Sequence, residues 1–526
     1  MSAAVAEERA GVLRAVRVVL DPTPRQAAAL ASHAGAARTA FNYALAAKMA
    51  VHRAWTADVA YRTYTDHGHL PPDEALVAAK KAVTAARAHR VPSMMTTIKD
   101  MYADPDYPWL GEVNRYAISS GMRDADTAWA NWVASLRGTR KGPRIGYPRF
   151  KKKGRSRDSF TLYHAVKRPS LRPDGHRRWV FPAKVGGSIR LKGNVRRLAR
   201  RIARGTARVK HVTVARSGGQ WVAAILVEDF AQLPTGPNRR QRAGGVVGVD
   251  VGIHHLAALS TGELVENPRH LRRAQDKLAA AQRRLSRTKW RDAAGALVDV
   301  PVRGRRYVET SGRRKARADL AKAHARVAQA RAAILHGLTK RLATEFAVVA
   351  LEDLAVKNMG AAPAPKPDPA RPGAYLRNGR AAKAGLNREL RDVAFGEIRR
   401  QLTYKTGWYG STLAAAPRFF PSSKTCSSCG AVKATLRLAE RVYWCPVCQH
   451  TQDRDLNAAR NIAAAAAIIT DARETQESLN AGRASPGAPR PGTGVDAGRP
   501  GPRHGVPVTA AEESAAHPEQ RARGRL

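Results

Sequence analysis

Residues 244–252 read GGVVGVDVG and residues 345–354 read EFAVVALEDL. Both are short apolar runs rich in β-branched residues, the pattern of a strand buried on both faces. Each carries an acid, which is costly in such a run unless the carboxylate is put to use. Asp250 interrupts the first run and Glu352 ends the second. After the first run, IHHLAALSTGELVE reads as a further strand with a turn at Ser260-Thr261-Gly262. Between the two runs, Leu271, Leu278 and Leu285, then Leu320, Val327 and Ile334, recur every seven residues with Arg and Lys crowding the other faces. That is a helical hairpin packed along apolar seams and basic outside. A third acid, Asp455, opens the helix DLNAARNI, which runs Ala-rich to about residue 469.

Each acid has a plain alternative: Asp250 could cap a turn, Glu352 could pair with an arginine, and Asp455 is a fair N-cap. Two acids at strand positions and one at a helix start together make a hard-oxygen site for Mg2+. Hydrolysis of a phosphodiester needs a neutralised phosphate, an activated water and a stabilised leaving oxygen, and two divalent ions about 4 Å apart supply all three.

Just upstream of Asp455 stand Cys426-Ser-Ser-Cys429 and Cys445-Pro-Val-Cys448, separated by fifteen residues, and these are the only four cysteines of the chain. Two CxxC knuckles at this spacing predict one tetrahedral S4 zinc site. Four thiolates leave no open position for water, so one Zn2+ is expected here in a structural role.

Outward from these motifs the chain is long and basic. Its 526 residues predict three or four domains. Lys and Arg number 91 against 42 Asp and Glu, a net charge of +49, which a fold does not need and a polyanionic partner does. Nine Trp and 44% hydrophobic residues exclude a histone-like tail. No run approaches the ~20 apolar residues of a membrane span; the longest, Ile462 to Ile469, is mostly Ala. The N-terminus MSAAVAEERAGVLR is no secretory signal, so a cytoplasmic, nucleoid-associated protein with no membrane partner is expected.

VLRAVRVVL at 12–20 suits a short strand, and Thr23-Pro24-Arg25-Gln26 forms a capping box that starts a helix. Helical period then continues to about residue 135, broken near Leu70-Pro71-Pro72 and Asp104-Pro105. A basic loop, YPRFKKKGR from Tyr147 to Arg155, precedes a β-rich stretch at 158–230 whose clearest hairpin turns at Arg216-Ser217-Gly218-Gly219. Before that hairpin lies a dense run of Arg196, Arg197, Arg200, Arg201, Arg204, Arg208 and Lys210, either a solvated face or a phosphate-tracking surface. Pro363–Gly385 reads as a mobile loop, residues 386–403 as helix, and 471–526 as a disordered tail too poor in apolar residues to fold.

GVDVGIHHLAALSTGE, VVALEDLAVKNM and the block from GLNRELRDVAF through FPSSKTCSSCG to DRDLNAARNI resemble the TnpB family. These are insertion-sequence-encoded proteins, formerly called OrfB-type transposases and similar to compact type V CRISPR nucleases. The resemblance spans about residues 14–470. It implies an α/β multidomain fold with an RNase H-like (RuvC) core at 240–269, 346–420 and 453–470. Into that core would be inserted a helical hairpin at 270–345 and a zinc ribbon at 421–452. An N-terminal wedge-like β-barrel at 1–20 and 140–235 would be interrupted by a helical recognition domain at 21–139. The resemblance assigns catalysis and Mg2+, two ions, to Asp250, Glu352 and Asp455. Asp453 competes for the third place, and the D-x-N-A-A register favours Asp455. It further implies a protein that binds a guide RNA from the element's own end and cleaves DNA beside a short adjacent motif; the oligomeric state stays open, with a monomer favoured.

Two alternatives remain at this level. A transposase acting directly on element ends could use the same carboxylates. A tyrosine type would need a metal-binding His pair, and the only adjacent pair, His254-His255, reads better as part of the hairpin after Asp250. A catalytically inactive RNA-guided repressor would be expected to have eroded acids, and all three are present.

Overall fold

The computed structural model describes residues 11–86, 89–164, 171–302, 305–437 and 439–482, and these divide after Ala231 into two units.

The first unit begins with β1 (Val12–Asp21). Thr23 then caps α1 (Pro24–Thr65) in a complete capping box, Gln26 N–H donating to Thr23 Oγ1 at 3.3 Å and Thr23 N–H to Gln26 Oε1 at 3.0 Å. The helical stretch continues as α2 (Pro72–Ala86), α3 (Met94–Ala103) and α4 (Arg115–Leu136). Helices α1 and α4 cross so closely that a Cβ on Gly121 would lie 2.1 Å from the Ala37 carbonyl oxygen, and Phe41, Leu45, Met101, Met122, Trp129 and Trp132 fill their seam. The sheet follows: β2 (Ser159–Tyr163), β3 (Arg172–Asp174), β4 (Arg178–Val180), β5 (Ser188–Leu191), the short helix α5 (Arg196–Ala203), β6 (Ala207–Ser217) and β7 (Gln220–Asp229).

These strands form one 7-stranded sheet in the order β2-β6-β7-β1-β5-β4-β3. Among the described residues no ladder joins its edges β2 and β3, so the closed barrel expected from the sequence is not found. The reason is strand length. β1 pairs with β7 from Val12 to Val19 but with β5 only at Leu20 and Asp21. Strands of three or four residues, about 10–13 Å long, cannot carry the ladder round to β2. Trp179, Phe160, Phe181 and Leu20 lie in the hydrophobic core of this unit.

The second unit opens with α6 (Arg239–Gly244), then β8 (Val246–Asp250), β9 (His255–Leu259) and β10 (Leu264–Glu266). Helices α7 (His270–Ser286) and α8 (Ser311–Glu345) pack along their heptad seams, with Leu278 and Val327 buried. The turn between them carries a small sheet of β11 (Trp290–Asp292), β12 (Leu297–Val298) and β13 (Tyr307–Glu309). Next come β14 (Val348–Glu352), α9 (Val356–Met359) and a two-rung hairpin of β15 (Lys366–Pro367) and β16 (Tyr375–Leu376). The stretch expected to be a mobile loop thus contains paired strands, and its end is already helical. The single helix expected at 386–403 is two, α10 (Arg380–Val393) and α11 (Phe395–Tyr409), broken where Ala394 takes a left-handed φ of 58°.

Strand β17 (Thr412–Ala416) completes a mixed 5-stranded sheet ordered β10-β9-β8-β14-β17, in which β8, β14 and β17 run parallel and β9 and β10 antiparallel to their neighbours. A hairpin of β18 (Val442–Trp444) and β19 (Thr451–Asp453) leads into α12 (Arg454–Gly482). That helix runs past residue 471, where a disordered tail was expected to start. Its run of Ala, Glu, Gln and Arg has high helix propensity and no proline. The rest of the expected tail, 483–526, lies outside the described residues. No helix among the described residues is long and apolar enough to cross a membrane.

Candidate active site

The register of the 5-stranded sheet brings two of the predicted acids together. β14 lies parallel to β8 with Val348 opposite Val246 and Leu351 opposite Val249. One step further sets Glu352 beside Asp250 at the carboxyl ends of neighbouring strands, which run about 4.8 Å apart. Alternation puts both side chains on the face that carries Gly248 and Ala350. Val247, Val249, Val349 and Leu351 point the other way, into the core with Leu342, Ile398 and Leu402.

α12 covers the acid-bearing face. Ala350 and Ala414 pack on Ile462 and Ala466, and a Cβ on Gly248 would lie 2.0 Å from the Ala459 carbonyl oxygen. Only glycine lets the helix lie this close to β8. The first turn of α12 carries Asp455 to the strand ends.

Electrostatics register the convergence. The Asp250 carboxyl is pushed up from 3.8 to about 8, first by burial and then by the negative charges of Glu352 and Asp455. Asp453, the competing acid, acts weakly here and is engaged elsewhere. Its Oδ1 accepts the N–H of Asp455 at 2.9 Å and of Leu456 at 3.1 Å, so it caps α12. The cap role that the sequence allowed for Asp455 is therefore filled by Asp453. Asp455 faces His255 Nδ1 at 3.5 Å and Arg454 Nε at 3.7 Å.

Glu352 and its neighbour Asp353 part in the same way. Asp353 lies between Arg399 and Arg418 and is held below the usual carboxylate range, first by the Arg399 hydrogen bond. Glu352 instead accepts a hydrogen bond from the Ser422 hydroxyl. The three acids are spread more widely than a single-ion cage. Among the described residues, only the cysteines form a group whose ligand atoms all lie within 4.8 Å of one another.

Those cysteines are reduced and face each other in two pairs, Cys426–Cys448 and Cys429–Cys445, each with sulfurs 3.6 Å apart. A tetrahedron with Zn–S bonds of ~2.3 Å has edges of about 3.8 Å, so the donor set fits Zn2+. The N–H groups of Cys448 and then Val447 pull the Cys445 thiol down to about 6, favouring the thiolate that a metal needs. Tyr443, fully buried beside the cluster, donates to the Lys424 carbonyl at 3.1 Å.

Three residues that sequence reasoning missed tie the cluster to the acids. Asn457 Nδ2 donates to the Thr425 carbonyl at 2.7 Å, and its Oδ1 accepts the Ser427 N–H at 2.9 Å. Asn461 Nδ2 donates to the carbonyls of Ser422 and Thr425 at 2.8 and 2.6 Å. The strut 421–427, which enters the first knuckle, thus grips α12 through two asparagines and reaches Glu352 through Ser422. Two asparagines four residues apart in an Ala-rich helix were the available signal, because asparagine is a poor helix former that competes for backbone partners.

The basic run divides by role. In the first unit Arg201 pairs with the buried Asp229, and Arg208 and Lys210 pair with Glu228. Arg196, Arg197, Arg200 and Arg204 make no ion pair among the described residues, so the charge facing solvent is four cations rather than seven.

Three family models match the chain: "Helix-turn-helix domain" over residues 12–54, "Probable transposase" over 226–362 and "Cas12f1-like, TNB domain" over 395–462. A Mycobacterium tuberculosis protein named "Putative RNA-guided DNA endonuclease" is 34% identical over 466 residues, 86% of this chain and 86% of that protein. A Streptomyces pristinaespiralis protein of the same name is 32% identical over 483 residues, 90% of this chain and 95% of its own length. Among solved structures, a Cas12f1–sgRNA–target DNA complex aligns at 11% identity with a TM-score of 0.40, covering 86% of this chain and 99% of that one, too distant a likeness to carry an argument.

Proposed function

We propose that this chain, which belongs to the TnpB family, is an RNA-guided DNA endonuclease that hydrolyses DNA at Asp250, Glu352 and Asp455. Guided cleavage is supported by relatives that align over 86% and 90% of the chain and bear that activity in their names. The observation that carries the site is the register of β14 on β8, which sets Glu352 beside Asp250 beneath the first turn of α12. The strand order, with helices on both faces, supports an RNase H-like (RuvC) core at 240–269, 346–420 and 453–470. The hairpin at 270–345 and the ribbon at 421–452 are its inserts. In the same reading β1 with 140–235 is the wedge, and 21–139 is the recognition segment.

The acids fit a pair of hard cations. Asp250 is pushed up to about 8 first by burial and then by two further carboxylates, a repulsion that divalent ions relieve. Their spread suits two ions better than one, with Asp250, Glu352 and Asp455 as the holding residues. When bound, Mg2+ supplies charge neutralisation at the scissile phosphate and activation of the attacking water. The chain's own part is orientation. Ser422 fixes one Glu352 oxygen, Asp453 sets the start of α12 and so the height of Asp455, and Asp250 would hold the ions as a carboxylate, its proton passing to solvent. The four cysteines hold Zn2+ in a structural role.

The partners are a guide RNA from the element's own end and a DNA target beside a short adjacent motif. The test is to purify the protein from cells carrying its native locus, sequence the RNA that comes with it, and reprogramme its guide segment. Cleavage should move to the newly matched DNA. Protein free of any discrete transcript, or cutting that ignores the guide, would overturn the proposal.

A further inference from the structure

The loop from Tyr147 to Ser156 takes no part in either cluster, yet it is held as firmly as a site would be. Asn42 on α1 clamps Lys151 twice, donating to its carbonyl at 3.0 Å and accepting its N–H at 2.8 Å. Lys152 accepts the N–H groups of Arg155 and Ser156, and its own N–H donates to Ser156 Oγ at 3.0 Å. Gly154 takes the left-handed φ of 78° that this tight return needs.

Against α1 the loop lines an open cavity of about 640 Å³, with Met49 and Pro148 among its walls, a volume in the range of small-molecule sites. Two aromatic rings edge it, Tyr147 and Phe150, 37% and 47% exposed. The Tyr147 ring is pinned from behind, edge-on to Trp132 at 4.7 Å and Trp129 at 5.9 Å, with His52 at 5.7 Å. A rigid ring left half in water is a stacking platform that loses little side-chain freedom on binding.

The charge around the cavity is of one sign. The nearby Asp124 is already matched by Lys151, 2.9 Å away, whose ammonium also sits 4.1 Å from the centre of the Phe41 ring. Arg149, Lys152 and Arg155 line the cavity and make no ion pair among the described residues. Aromatic faces interleaved with unmatched cations suit a base attached to its phosphate. An acidic peptide would use the cations and leave the rings idle.

We infer that this cavity binds one unpaired nucleotide of a single-stranded nucleic acid, with its base on Tyr147 and Phe150 and its phosphate on Arg149, Lys152 and Arg155. The inference rests on the nucleic-acid part of the function proposed above, but it needs neither cleavage nor the carboxylates, so each can fail alone.

The test uses the full-length protein and fluorescein-labelled 12-mers of DNA and of RNA, each with an abasic counterpart of equal charge, titrated at several salt concentrations. On the wild type the abasic strand should bind about tenfold more weakly than the intact one. Tyr147→Ala should erase that difference, and Tyr147→Phe should restore it, which separates stacking from misfolding. Arg155→Gln should lower the log–log salt slope by about 0.7, one phosphate's worth on a single strand, while keeping the base effect. A base effect in the RNA series alone marks the guide as the source, and one in the DNA series marks the target. No base effect in either series, an unchanged one in Tyr147→Ala, or polyglutamate competing as well as the 12-mers would overturn the inference.

Discussion

The cysteine cluster and the carboxylate cluster lie in the same unit, and they are built on opposite plans. The cysteines come from one hairpin-bearing stretch, residues 426–448, where N–H donors hold the Cys445 thiol at about 6 while the Cys429 thiol, despite the Ala431 backbone hydrogen bond, is pushed up to about 12 by the neighbouring thiols and burial. The acids come from two strands and a helix, and burial, with two neighbouring carboxylates, holds one of them, Asp250, at about 8. Cys445 finds its donors in the chain's own backbone, whereas Asp250 is left for an external cation to satisfy. A site meant to fix a fold should be complete, whereas a site meant to act on a phosphate should be short of positive charge until it is loaded.

The strongest way to break this contrast is to remove one acid. Asp250→Asn should lower cleavage of a guide-matched duplex by at least about a thousandfold, with target binding unchanged in a gel-shift titration. Its melting temperature without Mg2+ at neutral pH should not fall, because the folded carboxyl is already largely protonated there and a neutral amide of the same shape takes its place. A melting loss as large as that of a cysteine variant would make Asp250 structural.

The mirror experiment removes a thiol. Cys429→Ser should release zinc, lower the melting temperature and abolish cleavage together, since structural zinc sites contribute folding energy outright. Loss of zinc by elemental analysis with wild-type cleavage would cut the link between ribbon and acids that Asn457 and Asn461 provide.

A subtler change sharpens that link. Ser422→Ala removes the hydroxyl that orients Glu352 and leaves both clusters otherwise intact. Partners of this kind are worth about 10–100-fold, so single-turnover cleavage should fall about tenfold at unchanged zinc content and target affinity. Ser422→Thr should recover most of it. Equal rates for Ala and wild type would reduce this hydrogen bond to an incidental contact.

The same contrast explains what could be read from the residues alone. CxxC spacing is local, so the four cysteines were legible at once. Asp250 and Glu352 were legible as acids in apolar strands, but their adjacency depends on the parallel register of β8 and β14, which lie far apart in the chain. Between Asp453 and Asp455 the D-x-N-A-A register already favoured Asp455, but that Asp453 is the residue capping α12 depends on two backbone hydrogen bonds that composition does not encode. The open edge between β2 and β3 was missed because strands of three residues leave little periodic signal. Ser422 was hidden for another reason: its partner is a side chain brought to it by the sheet.

The last expected effect is on stability against pH, and it isolates Asp250. In the unfolded chain its carboxyl titrates near 3.8, and in the folded chain near 8. Between those values the folded state holds a proton that the unfolded state has lost, so stability must fall as pH rises through the window. The group's contribution is full below about pH 4 and gone above about pH 8. Carboxylates paired with arginine act in reverse. Glu397, pulled down to about 2 chiefly by Arg400, contributes above its unfolded value of 4.5 and loses that contribution as pH falls toward 2. The two arms barely overlap between pH 5 and 8, where denaturant titrations in Mg2+-free buffer, with zinc left in place, should show wild type losing stability relative to Asp250→Asn. Added Mg2+ should flatten the difference by displacing the proton, and calorimetry in buffers of different ionisation enthalpy should count that proton on the metal's entry at pH 7. Parallel stability curves for the two proteins, with no proton released by Mg2+, would mean that Asp250 is ionised without help and that the two clusters are charged alike.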